Sequence, residues 1–454
     1  MKDIKTVTIK GGYPLCGEVT LPSNKNEVLP VLCGSILVRG VVTIENVPMS
    51  PDVVKILEAL GKLGAEIVWN GTSVTINTKD LSGWVVDPCV RDIQSAILFA
   101  GPLLARFGKA VIPKAIGCEL GYRGPQIHID FFSQAGVTCI ETEDSLTFSE
   151  VREKNNGSNG TVAEYDLILH KASVTPTENL LMYLSGRSHE IWNIHGIAEE
   201  PHVQGLIRFL NSISHNIVTG NGNYRTVNGT STYSENISHL PALDHIETGG
   251  WIVAAAVTKG TITLKDVFTS VDVSSIMSMV RAYQAFNITC VKQGADLLID
   301  CSEYVFQPSQ GVERYDANSW KYYPGPWGQF PVDGLPAFTA LTLQNKIPNT
   351  SVHIINAMFE VALKFSDCFV DMGVDIKSNG TLEIIVPALP YGLTAKASVE
   401  APNVIEGVRA IVLSALGANT GSEITISNVN PLERRSPEIW TTLKKLGAQF
   451  DIVS

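Results

Sequence analysis

The chain has 454 residues, 44% of them apolar and 17% charged, with a formal net charge of −11. That length allows two or more domains with sizeable cores, and the composition is that of a folded globular protein. The acidity argues against a nucleic-acid partner, and no apolar run reaches membrane-spanning length. No signal-like segment opens the chain, and eight cysteines without a pairing pattern or a C-x-x-C indicate neither a disulfide frame nor a zinc site. The expectation is a cytoplasmic enzyme with small-molecule substrates, no metal and no cofactor. Its oligomeric state is not fixed by the sequence.

Taken in chain order, the predicted elements repeat six times. A helix at 28–37, apolar on nearly every side, leads to a strand at 41–44 and a second helix at 48–60. Leu63-Gly64-Ala65-Glu66-Ile67, the turn Asn70-Gly71 and the alternation Val74-Thr75-Ile76 then predict a hairpin. The second unit has a helix at 93–105, a strand at 110–112 and a loop around Cys118, followed by Ala135-Gly136-Val137 and a strand at 146–148. The third has a helix at 177–184, a strand at 191–194 and a helix start at Glu200-Pro201-His202. The fourth runs through 250–257, 262–264 and 271–286. The fifth runs through 337–343, 352–355, 358–372 and Met372-Gly373-Val374, and the sixth through 406–416, 424–426 and Leu446-Gly447-Ala448. Residues 153–160 read as an exposed hairpin loop, and 320–327 as an aromatic, Pro/Gly-rich loop. The helices that open each unit lack a polar face, so they are expected at the centre of a domain.

Equivalent units place equivalent loops on equivalent faces, so distant residues can converge. Two positions in the repeat hold most of the unusual chemistry. The loop after the first strand carries Cys118, Arg123, Glu200, His202, Glu360, Lys364, Glu433, Arg434 and Arg435. The start of the central helix carries Lys25, Gln94, Lys171, Ser173, Asp244, His245 and Asp333. Helix N-termini present free N–H groups and favour anions, so this combination suits a polyanionic small molecule. Cys118 lies between Gly117 and Gly121, flanked by Lys114 and Arg123, a setting that favours a reactive thiolate.

These residues resemble the enolpyruvyl transferases, and in particular the branch whose acceptor is UDP-N-acetylglucosamine. The resemblance runs along the whole chain through Gly17-Glu18-Val19-Thr20, Ser23-Asn24-Lys25-Asn26, Gly101-Pro102 to Gly108, and the Cys118 loop. It continues through Lys171-Ala172-Ser173-Val174, Glu200-Pro201, Ile246-Glu247-Thr248-Gly249, Phe330-Pro331-Val332-Asp333, Phe359-Glu360 and Glu433-Arg434. It implies an α/β fold of two similar inside-out α/β barrel domains, each of three helix-strand-helix-hairpin repeats, that close over substrate. Residues 25–239 would form the first domain, and 1–24 with 240–454 the second.

The resemblance also implies the chemistry: enolpyruvate passes from phosphoenolpyruvate to a hydroxyl, with release of phosphate through a tetrahedral ketal. Lys25, Arg123 and Arg434 would hold the donor, which needs several fixed cations for its charge. Cys118 would act as general acid or assist product release and would be alkylated by fosfomycin, Lys25 would share in catalysis, and Asp333 would take the acceptor proton. Asn26, Gln94, Lys171, Ser173, Val174, Asp333 and Met358 would face the acceptor, a nucleotide or nucleotide sugar.

Departures from the family pattern cluster on the acceptor side. Gln94 stands where the family usually has arginine, Arg123-Gly124-Pro125-Gln126 replaces arginine-proline-x-aspartate, Ala362 replaces another arginine, and Asn403-Val404-Ile405 replaces aspartate-leucine-arginine. Such arginines are not interchangeable with neutral residues at phosphate contacts. Lys364, Arg409 and Arg435 are the cations nearest the lost positions. The pattern leaves open the 3′-hydroxyl of UMP, as in nucleoside-antibiotic pathways, beside the 3-hydroxyl of UDP-N-acetylglucosamine in peptidoglycan precursor synthesis. A shikimate-type transferase would lack the loop cysteine, and a binding protein that had lost turnover would need neither Cys118 nor Asp333.

Overall fold

A computed structural model describes residues 6–115, 124–151, 162–309, 311–325, 327–356, 363–380 and 382–453. Two compact units divide the chain between Pro22 and Ser23 and between Ala242 and Leu243, so that residues 6–22 belong with the C-terminal half. The N-terminal unit contains helices α1 (Lys25–Gly34), α2 (Pro51–Lys62), α3 (Ala100–Phe107), α4 (Gln126–Gln134), α5 (Val174–Ser185) and α6 (Pro201–Ile213). The C-terminal unit contains α7 (His245–Thr258), α8 (Val273–Gln284), α9 (Leu335–Thr342), α10 (Asp367–Asp371), α11 (Ile405–Leu416) and α12 (Ile439–Lys445).

Among the described residues each unit has three sheets and its own hydrophobic core. The odd-numbered helices are the apolar ones: Ile252 through Val257 of α7 are all buried, as are Val408 and Ala410 through Leu416 of α11. The even-numbered helices are amphipathic. In α2, Val53, Ile56, Leu57 and Leu60 face inward, Ser50 caps the helix by accepting from the Val53 N–H, and Pro51 fills the first turn, where its missing N–H costs nothing. Among the described residues sheet order follows one scheme, except that the sheet built on Lys109–Pro113 has three strands and lacks the parallel one. Strand Glu190–His195, for example, lies between the parallel strand Ala163–Ile168, which enters α5, and the antiparallel hairpin strand Tyr224–Asn228.

Two strands are exchanged between halves of the chain. Cys16–Thr20 precedes α1 but pairs in parallel with Thr261–Lys265, which follows α7. Asn236–His239 precedes α7 but pairs in parallel with Val41–Ile44, which follows α1. The strands entering the central helices were not foreseen as repeat members. One of them, Ser319–Tyr322, occupies the start of the segment expected to be a loop at 320–327; it pairs in parallel with Ser351–Ile355 before Pro324 and Gly325 end it. The helix expected at 93–105 begins instead as a 3-10 turn, Gln94–Phe99, and becomes α-helical at Ala100. Pro102 explains the break, because it lacks an N–H and crowds the carbonyl four residues earlier. The segment expected as one helix at 358–372 shows, among described residues, a 3-10 turn Lys364–Ser366 and the short α10. The loop expected at 153–160 lies outside the described residues.

Gly101 lets two central helices meet closely. A Cβ there would fall 2.2 Å from the Asn179 carbonyl oxygen, so α3 and α5 touch through backbone. The Asn179 side chain closes the contact, accepting from the Gly101 N–H at 2.8 Å and donating to the Ile97 carbonyl at 2.8 Å.

Candidate active site

In the N-terminal unit the site is built around the start of α1. Asn24 accepts from the Asn26 N–H (2.9 Å) and caps the helix. Lys25 follows, buried, with its Nζ 2.7 Å from Oδ2 of Asp52 in the first turn of α2, also buried. Two turns of chain thus hold a desolvated cation against a desolvated anion, an arrangement that is costly to break on one side only. Glu27, fully buried, accepts from Arg208 (3.1 and 3.3 Å), His239 Nε2 (3.0 Å) and the Ala242 N–H (3.2 Å). Gly205 in α6 makes space for this carboxylate, since a Cβ there would lie 2.0 Å from its carboxyl carbon.

The expected acceptor residues of this unit sit at helix starts. Asn26 is half-buried in the first turn of α1, Gln94 opens its 3-10 turn exposed, and Lys171 is exposed just before α5. Ser173 occupies the cap position of α5 with its hydroxyl making no capping bond, and Val174 is half-buried beside it. Behind them, Glu178 of α5 is 1% exposed and its Oε1 has no hydrogen-bond partner. Burial pushes its pKa well above the usual carboxyl range, and Glu200 and Glu27 push it further. His128 of α4 is also buried. Its Nδ1 accepts from the Asn179 amide (3.1 Å) and its Nε2 faces the Thr175 hydroxyl (3.2 Å), which assigns the neutral Nε2–H tautomer; burial pushes its pKa down to about 3.

In the C-terminal unit the same grammar carries different charges. Asp244 caps α7, accepting from the N–H groups of Ile246 (2.8 Å) and Glu247 (3.2 Å). Its other oxygen, Oδ2, takes a hydrogen bond from Arg435 Nη1 at 2.9 Å. Arg435 Nε lies 3.1 Å from Glu406 Oε1 at the start of α11, an ion pair too poorly aligned to count as a hydrogen bond. Arg409, one turn into α11, pairs with Glu247, donates to the Ile246 carbonyl (3.4 Å) and lies 3.7 Å from Glu406 Oε2. Arg409 and Arg435 are 6% and 4% exposed. Both are tied up by carboxylates of the interior. The sequence leaves open whether they stand in for the missing family arginines; in the structure burial and pairing with carboxylates engage both.

Burial raises the Glu406 carboxyl, against the pull of Arg409 and Arg435 and with the help of Asp333. Burial works against the Asp244 carboxylate, yet Arg435 and His245 hold it below its usual range. His245, first residue of α7, is lowered by burial and by Arg435, against Asp244, Asp333 and Asp272. Its ring meets Trp327 edge-on at 5.2 Å, so one ring of the aromatic segment is a packing partner of the helix start. Asp333 is half-buried in the 3-10 turn Val332–Gly334 that leads into α9, within electrostatic reach of His245, Glu406 and Arg435. Arg434 ends the 3-10 turn Asn430–Arg434, half-buried, and Lys364 is exposed.

Cys118, Arg123, Met358 and Glu360 lie outside the described residues. The thiols of Cys33, Cys89, Cys139, Cys290, Cys301 and Cys368 are all raised by burial, which makes them poor nucleophiles, and Cys16 is exposed. Among the described residues no group of His, Cys, Asp and Glu is placed to hold a metal ion, and no helix is long and apolar enough to cross a membrane. The sequence reading missed Asp52, Glu178, His128 and the roles of Glu27 and Glu247. A signal existed for the last two: Asn24 and Asp244 are helix caps, each with a glutamate three residues later.

Residues 9–302 match the family described as EPSP synthase (3-phosphoshikimate 1-carboxyvinyltransferase). The chain belongs to that family. Curated relatives extend the likeness over the full length. A UDP-N-acetylglucosamine 1-carboxyvinyltransferase of Bradyrhizobium diazoefficiens is 29% identical over 97% of this chain and 96% of its own. The enzyme of the same name from Bacteroides thetaiotaomicron is 27% identical over 97% and 98%. Among solved structures, the enolpyruvyl transferase NikO from Streptomyces tendae superposes with a TM-score of 0.80 at 14% identity, covering 99% of both chains. An EPSP synthase from Acinetobacter baumannii gives 0.69 at 14% identity, covering 99% of this chain and all of the other. The fold is therefore the enolpyruvyl transferase fold of two inside-out α/β domains, and the chain is an enolpyruvyl (1-carboxyvinyl) transferase.

Proposed function

We propose that the chain transfers enolpyruvate from phosphoenolpyruvate to the 3-hydroxyl of UDP-N-acetylglucosamine. The observation that carries the donor half is Lys25, a cation held at a helix start by Asp52. Phosphoenolpyruvate brings phosphate and carboxylate together, and a lysine, Arg123 and Arg434 at helix starts and loops suit that charge. Asp333 takes the proton as the acceptor oxygen bonds to the central carbon of the donor, while Cys118 delivers a proton to its methylene carbon. The resulting ketal loses a methyl proton and expels phosphate, which restores the vinyl group. Full-length likeness to enzymes named for UDP-N-acetylglucosamine supports that acceptor.

A second acceptor, UMP, is favoured by one observation: Gln94 and Ile405 remove two arginines, and Arg409 and Arg435 are engaged elsewhere. Each lost charge-assisted contact is worth ~1.5–3 kcal/mol, so the loss bears mainly on a diphosphate. Phosphate release from phosphoenolpyruvate with each acceptor in turn tests the order. Faster release with UDP-N-acetylglucosamine is the expected result, and faster release with UMP reverses the assignment. Mass spectrometry after exposure to fosfomycin should find one adduct, on Cys118 and absent from Cys118→Ser; an adduct on Cys16 instead would remove the reactive-loop reading.

A further inference from the structure

Arg435 stands beside Arg434 in the chain, yet the two have different environments. Arg434 closes the 3-10 turn Asn430–Arg434 and is half-buried, whereas Arg435 is 4% exposed and directed into the unit. There it joins three separate elements. Its own backbone N–H continues the turn by donating to the Leu432 carbonyl (3.3 Å). Its Nη1 donates to Asp244, the cap of α7, and its Nε faces Glu406 in the first turn of α11. Arg409 meets the same two helix starts from the other side, through Glu247 and Glu406. Asp333, leading into α9, is within electrostatic reach of Arg435 and Glu406.

We propose that Arg435 is a positioning residue: it fixes the turn that presents Arg434 to the donor by anchoring it to the starts of α7 and α11. This rests on the reading of Arg434 as a donor ligand given above. Arg435 itself does not contact substrate, because its guanidinium is enclosed and shared between two carboxylates. Arginine suits the task. Its planar fork addresses Asp244 and Glu406 at once, which a lysine ammonium on a flexible stem does not. Pinning a side chain fixes its neighbour's backbone, and a ligand displaced by about 1 Å can cost ~10²-fold in rate.

The test measures binding as well as turnover. Isothermal titration of phosphoenolpyruvate, and separately of UDP-N-acetylglucosamine, is run on the wild-type chain and on Arg435→Met, Arg435→Lys and Glu406→Gln. Arg435→Met should weaken phosphoenolpyruvate by ~10-fold or more, while UDP-N-acetylglucosamine binding by the folded protein changes little. Arg435→Lys, which keeps the charge and the reach to Asp244, should recover part of the donor affinity. Glu406→Gln removes one tie without burying a lone charge and should give a smaller loss on the donor alone; it carries the test if Arg435→Met does not fold. Unchanged donor affinity in Arg435→Met, or in Glu406→Gln where the former is unfolded, would overturn the proposal. Equal weakening of both ligands would also overturn it, as the mark of a merely structural residue. If the wild-type chain binds no phosphoenolpyruvate, the function reading fails and this inference fails with it; wild-type binding with an insensitive Arg435→Met sinks the inference alone.

Discussion

The two units begin their first central helix in the same way and charge it oppositely. In the N-terminal unit a neutral cap, Asn24, precedes a cation, Lys25, which is neutralised by Asp52 of the next outer helix. In the C-terminal unit an anionic cap, Asp244, precedes His245, whose pKa burial lowers, and Asp272 at the start of the next outer helix stands within electrostatic reach. Both helices then bury a glutamate, Glu27 or Glu247, whose partners are basic side chains. The comparison teaches that the backbone arrangement is shared, while the chemistry is set by single residues at the first helical position. One unit presents a cation at its helix start. The other pairs Arg409 and Arg435 with buried carboxylates at its helix starts.

The largest effects should come from reversing that division of labour. Lys25→Met leaves Asp52 buried without its cation, a change that costs ~3–5 kcal/mol of stability, and it removes the proposed donor contact. His245→Met leaves no such charge behind and should be better tolerated in denaturant melts. A similar loss of stability in both would erase the contrast. Asp333→Asn should lower kcat by ~10²–10⁴-fold while phosphoenolpyruvate still binds, and near-normal turnover would move the base elsewhere, with Glu200 next.

The two buried glutamates offer a finer comparison. Glu247→Gln leaves Arg409, 6% exposed, with the Ile246 carbonyl and a 3.7 Å contact to Glu406 as its ties, whereas Glu27→Gln leaves Arg208 able to reach solvent with about a third of its side chain exposed. The first should cost more in urea-unfolding free energy than the second, by roughly 1–3 kcal/mol. The reverse order would mean that Glu27 is the more constrained of the two.

These differences mark how far the sequence can be read. The six-fold helix–strand–hairpin pattern is legible because its apolar spacing and its Asn-Gly and Leu-Gly-Ala turns are local. Lys25 and Asp333 stand out because motifs frame them. The pairing of Lys25 with Asp52, and of Arg435 with Asp244 across 191 positions, is not legible, since nothing local in the chain fixes which charge meets which. The strand exchange through Cys16–Thr20 and Asn236–His239 is hidden for the same reason. Arg409 reads as a spare cation in the sequence; only its burial against Glu247 shows that its charge is already spoken for.

Smaller effects should appear in the pH dependence of stability. His128, lowered to about 3 in the folded chain from its ordinary value of 6.5, gains a proton on unfolding between those limits. Its contribution is complete above pH 6.5 and is lost as pH falls toward about 3. Melting temperatures of His128→Gln should therefore fall less steeply than wild type over that window, and parallel curves would show His128 to be solvated. Glu178 works with the opposite sign. Its raised carboxyl pKa penalises the folded state once pH exceeds the ordinary carboxyl range, so Glu178→Gln should raise the melting temperature at about pH 8 and not at about pH 4. Equal shifts at both would point to packing.

The most direct measurement uses phosphoenolpyruvate labelled with oxygen-18 at the bridge between carbon and phosphorus, incubated with the enzyme and UDP-N-acetylglucosamine. Enolpyruvyl transfer breaks the carbon–oxygen bond. The account predicts that the label leaves in inorganic phosphate, in step with a carboxyvinyl product on the nucleotide sugar. Label retained in pyruvate would mean cleavage at phosphorus, and phosphate released without any acceptor would mean hydrolysis; either would contradict it.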